Sequence, residues 1–206
     1  MVTQLAVEHV QPKDGHHGHP DLKGRWENYL LGCVNCNSTK GDKQVDFDAL
    51  LFPDRDNTYA AFSYGTDGTI DAAADLTGPL RDVALATLAL TGLDKPISEA
   101  TDENGRLIAI DRVGQRMETW LQAKSAKEDL AAAAEKEPLR HWIVNYALER
   151  GFFSIWMAVF ADDPAMRNRF IDAFDGTRAS GCFDPATTQA LSPAPNPDGL
   201  PGGGKV

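Results

Sequence analysis

At 206 residues, with 42% hydrophobic and 24% charged side chains, the chain is long enough to bury a core and has an ordinary globular composition. Its net charge of −10 excludes a protein that coats nucleic acid by bulk charge, and no apolar run is long enough to span a bilayer. The first residues lack the basic-then-apolar layout of a signal peptide, so a soluble, cytoplasmic protein is expected. Three cysteines, two of them at Cys33 and Cys36, make a metal pattern rather than a disulfide framework.

Residues 2–10 (VTQLAVEHV) alternate loosely, hold three valines and read as a short strand ending at Glu8-His9, stopped by Pro12. Residues 13–25 carry four Gly or Pro residues and His16, His17 and His19, so they form a loop. Trp26 to Cys33 is apolar enough for a second strand, and Asn37-Ser38-Thr39 can cap a short helix starting near Ser38. Tyr59–Tyr64, a Gly-containing turn and Thr69-Ile70 read as a β-hairpin. From Leu80 the period becomes helical and Gly92 ends that helix. Asn104 to about Lys136 reads as a long amphipathic helix, whole or broken into two segments, through Leu107, Ile110, Val113, Met117, Trp120 and Leu121. Pro138 opens a helix to about Arg150, Phe152–Phe160 is apolar all round and expected in the core, and Asp163-Pro164 caps a last helix. After Asp184 the Pro/Gly-rich sequence predicts disorder.

The expected fold class is therefore α+β. A small N-terminal unit spans 1–48, a linker and hairpin 49–75, a helical domain 76–184 and a tail 185–206. Although residues 49–206 carry −8, the segment from Val10 to Lys43 is at +1, which leaves room for a local phosphate contact.

The run EHxxPK at Glu8, WxN at Trp26 to Asn28, and CxxCNxxKG from Cys33 resembles the HNH (ββα-metal) endonucleases; Asn37 follows Asn28 by nine residues, as in that family. The resemblance implies a ββα unit and a nuclease acting on DNA. It implies His9 as general base, Asn28 holding the His9 ring through its side-chain carbonyl, and Glu8 with Asn37 binding one Mg²⁺ or Mn²⁺. Glu8 neighbours His9, so in a regular strand it points away; it becomes a ligand only if the strand end twists or bulges. Lys40 or Lys43 would touch backbone phosphate, or lie on a solvated face. Taken singly, Glu8 and His9 read as surface groups, Asn28 as a turn residue and Asn37 as a helix cap.

Many family members hold a structural zinc with two CxxC pairs, whereas here only Cys33 and Cys36 are present. Either a further N-terminal piece supplies the other pair, or His16, His17, His19 or Cys182 complete the site, or the pair is a metal-free relic. PDRDNTYAAFSY, GLDK and FFSIWMAVF further resemble Septu-type anti-phage defence nucleases, which implies an ATPase partner. The alternative function is a non-catalytic zinc-knuckle module that docks a partner protein.

Overall fold

The N-terminal strands form from the short runs LAVEH and YLLGC on either side of a Gly/Pro-rich loop. In the computed structural model, which describes residues 5–95, 97–101 and 107–206, β1 (Leu5–His9) pairs antiparallel with β2 (Tyr29–Cys33), in a register running from Leu5 opposite Cys33 to His9 opposite Tyr29. The expected strand over 2–10 is thus seen over 5–9; residues 2–4 lie outside the described residues. Trp26–Asn28 is a 3₁₀ turn and not part of β2. Helix α1 (Val34–Lys40) follows at once, giving a ββα order. It begins four residues earlier than Ser38, because the Cys33 sulfur, not Asn37, accepts from a first-turn amide, that of Cys36. Asn37 therefore sits within the helix.

A helical turn α2 (Thr58–Ala61) leads into the hairpin β3 (Phe62–Tyr64) and β4 (Ile70–Ala72), at the place its turn residues indicated. Helix α3 (Gly78–Thr91) stops at Gly92, whose φ of 61° is the left-handed cap that the glycine permits. The long helix expected over 104–136 is corrected. Leu107–Asp111 is a strand, β6, paired with β5 (Ile97–Thr101), and only Arg112–Ala132 is helical, as α4; residues 104–106 lie outside the described residues. A short apolar run such as LIAID fits either period, and a neighbouring strand with which to share backbone hydrogen bonds decides it. The Asp111 carboxylate then caps α4 at the Gly114 amide.

Helices α5 (Lys136–Arg150), α6 (Phe153–Val159) and α7 (Pro164–Ala173) pack with α4 around Trp156, Phe160 and Phe170, all fully buried. The Asp163 cap on α7 is as expected, and of the FFSIWMAVF segment Ile155, Trp156, Met157 and Phe160 are buried while the rest is half-buried. A second cluster joins the β3–β4 hairpin to α3, and a third (Val10, Val45, Leu50, Phe52) lies under the ββα unit.

The expected disorder after Asp184 is also corrected. The Ala194 amide and the Asn57 amide both donate to the Val206 carbonyl, Gly204 donates to Arg55, and Lys205 donates to the buried Asp56 carboxylate. The segment has little apolar surface, but its backbone finds partners along residues 55–57. Gly202 makes this approach possible: a Cβ there would lie 2.4 Å from the Phe47 carbonyl oxygen.

Candidate functional site

The β1–β2 register decides which side chains can meet. Residues opposite one another share a face, so Leu5, Val7 and His9 lie with Cys33, Leu31 and Tyr29, while Ala6 and Glu8 lie with Gly32 and Leu30 on the α1 side. The pairing is regular to its end. The bulge that would turn Glu8 to the His9 side is absent, and Glu8 instead meets helix α1, where Lys40 Nζ lies 2.5 Å from its Oε1. Lys40 Nζ also donates to the His9 carbonyl at 2.9 Å. This ion pair is nearly dry, with side-chain exposures of 7% for Lys40 and 12% for Glu8. Lys40 is thereby corrected from a phosphate contact to a buried counter-charge. Lys43 stays exposed, with Nζ on the Thr39 carbonyl at 2.7 Å.

His9 ends β1 with its ring 4.8 Å from the Tyr29 ring. Its Nε2 lies 3.2 Å from the Lys23 carbonyl, which also accepts from the Tyr29 hydroxyl at 2.5 Å. A carbonyl only accepts, so Nε2 carries the proton and, in the neutral ring, Nδ1 keeps a free lone pair. The tautomer is set by Lys23 and not by Asn28. The buried Asn28 side chain is turned to Gln11 instead. It accepts from the Gln11 amide at 2.7 Å and donates to the Gln11 carbonyl at 3.0 Å and the Leu22 carbonyl at 3.4 Å. It therefore clamps both ends of the loop that carries the Lys23 carbonyl, and supports His9 indirectly.

A cavity of about 290 Å³ opens across the end of β1, and Glu8, His9, Asn37 and Lys40 line it together. Asp14 and Asp42 line it too, which the sequence did not single out. Nothing in polar loop residues of this kind marks them. Only the packing does: Asp42 accepts from the His16 amide and sits where a Cβ on Gly15 would clash. Tyr29 was findable from the alternation that makes it the strand partner of His9.

Carboxylates from Glu8, Asp14 and Asp42 with the Asn37 amide are the hard oxygen donors that a Mg²⁺ or Mn²⁺ ion takes, so the lining fits such an ion by donor type. Among the described residues, no three His, Cys, Asp or Glu side chains already converge on one point.

The cysteines form a different environment. Cys33 and Cys36 hold their sulfurs 2.9 Å apart, within hydrogen-bonding reach. The hydrogen bond from Cys36 holds the Cys33 thiol down at about 6 against the opposing effect of burial, and the Arg112 guanidinium adds to the lowering. The same bond, with burial, pushes the Cys36 thiol up. Buried Arg112 and Arg116 lie beside the pair, anchored on the Gly92 and Leu93 carbonyls at 2.8 and 3.0 Å. Among the described residues neither Cys182 nor a loop histidine joins the two sulfurs. Two thiols beside two guanidiniums do not fit a structural zinc, which needs four ligands and brings two further positive charges.

The chain thus presents a ββα unit with a histidine at the strand end and a cavity rimmed by oxygen donors, and comparison with known proteins finds a likeness to a protein named as an HNH endonuclease. A protein of Vibrio cholerae serotype O1 biovar El Tor, named "Retron Vc95 putative HNH endonuclease", is 30% identical over 98 residues. The match takes in 46% of this chain and 48% of that protein, so the chain spans about half the length of the curated relative it matches. No family model matches, and no solved structure matches. Among the described residues no helix is long and apolar enough to cross a membrane.

Proposed function

We propose that the chain is a metal-dependent HNH-type endonuclease that hydrolyses DNA phosphodiester bonds, with the β1–β2–α1 segment as its ββα-metal unit. One observation carries the reading: His9 stands at the mouth of an oxygen-lined cavity with Nε2 committed to the Lys23 carbonyl. That leaves Nδ1 as the atom that takes a proton from the attacking water. A base so placed contributes about 10²–10⁴-fold. Tyr29 packs against the ring and shares its anchor, so the imidazole is oriented before substrate arrives. Asn28 holds the loop that supplies the anchor. Asn37, Asp14 and Asp42 would hold the Mg²⁺ or Mn²⁺, with Glu8 joining them once Lys40 lets go; the bound ion supplies positive charge opposite the scissile phosphate. Lys43 and Lys13 would meet flanking phosphates.

A cytoplasmic role in anti-phage defence, with an ATPase partner supplying positive charge that this acidic chain lacks, extends the same reading from the Septu-type resemblance. The Glu8–Lys40 pair favours a second reading, a non-catalytic module docking a partner, because it occupies a carboxylate the nuclease would use. A plasmid-nicking assay with Mg²⁺ or Mn²⁺ separates the two. Wild type is expected to cut and His9→Ala to lose at least about 100-fold. Equal cutting by both proteins, or none by either on plasmid and on single-stranded DNA alike, would overturn the nuclease.

A further inference from the structure

Trp26 is the most exposed large apolar side chain among the described residues, at 85%. It stands beside the candidate site: its ring is edge-on to Tyr29 at 6.4 Å, and Tyr29 packs on His9 at 4.8 Å. Three rings thus step outward from the base. On the same sheet face the next pair, Val7 opposite Leu31, is also bare, at 62% and 71%, and Val7 reaches the cavity wall. A tryptophan left in water gains nothing for folding, and a 3₁₀ turn between two exposed charges does not require one.

The surroundings indicate the occupant. Lys13 lines the cavity, and Lys23 and Arg25 project from the loop that ends at Trp26. Among the described residues Arg25 makes one ion-pair contact, an exposed one with Glu27 at 3.6 Å, too weak to commit it. Flat rings interleaved with loop cations are how proteins hold single strands, with bases stacked and phosphates met by charge. The chain's net charge of −10 works against gripping a duplex by its backbone alone. A stacked base supplies attraction that does not depend on that charge.

We propose that Trp26 is a stacking platform for an unpaired base next to the scissile phosphate, which makes single-stranded or locally unpaired DNA the substrate class. This rests on the nuclease reading above and extends it. Trp26 positions substrate and exchanges no proton. One stacked base is worth about 5- to 150-fold in affinity.

The test measures binding apart from cutting. In the full chain carrying His9→Ala, fluorescence anisotropy follows a short labelled strand and the duplex of the same sequence, with and without Trp26→Ala or Trp26→Phe. Trp26→Ala is expected to weaken strand binding at least about 5-fold and duplex binding by less than about 2-fold, with Trp26→Phe restoring most of the loss. An unchanged melting temperature in these variants confirms that the fold is intact. Equal effects on strand and duplex overturn the proposal, as does no effect on either. A Trp26-dependent dimer in sedimentation, without strand binding, overturns it in favour of a protein interface. Since plasmid nicking by the His9-containing protein is read separately, a failed platform leaves the nuclease standing, and a failed nuclease shows as nicking that His9→Ala does not change.

Discussion

Replacing Lys40 by Met tests the reassignment of that lysine most directly. Lys40 Nζ lies 2.5 Å from Glu8 and donates to the His9 carbonyl, in a setting with 7% and 12% side-chain exposure. Surface pairs contribute less than about 1 kcal/mol, but this pair is in the buried regime, where loss of one partner strands the other charge at a cost of about 3–5 kcal/mol. The residual exposure of Glu8 puts the expectation near the lower end, about 3 kcal/mol. For a chain of this size that lowers the melting temperature by about 6–12 °C. Circular dichroism melts of Lys40→Met, Glu8→Met and the double variant give the coupling. The double variant, which removes both charges, is expected to recover most of the loss. Mn²⁺ adds a second reading. With Lys40 gone Glu8 is free to bind the ion, and Mn²⁺ at 100 times its dissociation constant restores about 2.7 kcal/mol. A shift below about 2 °C for Lys40→Met, or single and double variants with additive losses, would refute the buried pair and return Lys40 to the phosphate-binding role read from sequence.

Other outcomes follow from the same structure. Cys33 alkylation by iodoacetamide is expected to rise through a midpoint near pH 6, because Cys36 stabilises the thiolate; Cys36→Ser should move the midpoint up, whereas an unmoved midpoint contradicts the Cys33–Cys36 hydrogen bond. In buffer without added Mg²⁺ or Mn²⁺, chelators are expected to leave the melting temperature unchanged, since among the described residues the cysteine pair lacks the further ligands of a zinc site; a fall in melting temperature there contradicts this, while nicking with added ion should stop on chelation. Asp56→Ala orphans the Phe52 and Lys205 amides and should cost about 2–4 kcal/mol and speed proteolysis within 194–206; protection equal to wild type there would contradict the packed tail.

The ββα unit was legible because its signals are local. β-Branched residues before Glu8-His9, a Gly/Pro loop and an apolar run into Cys33 each act within a few residues. The helix ends at Gly92, Gly151 and Asp163 were equally local, since a left-handed glycine or a capping carboxylate needs only its own turn. The 107–111 strand was not legible, because LIAID suits both periods and its partner strand is a tertiary fact. The packed tail was hidden for a related reason: it is held by backbone partners on residues 55–57, which composition does not record.

For the site, the residue types at 9, 28 and 37 by themselves determined that an imidazole and oxygen donors are at hand, because those chemistries belong to the side chains. Which group holds which was decided only by the fold. A two-residue strand period sends Glu8 to Lys40 and His9 to Tyr29, and the loop closure puts Lys23, not Asn28, on the imidazole. Hydrogen-bond partners are fixed by distances of a few tenths of an ångström between segments far apart in the chain, and only the tertiary structure sets those distances.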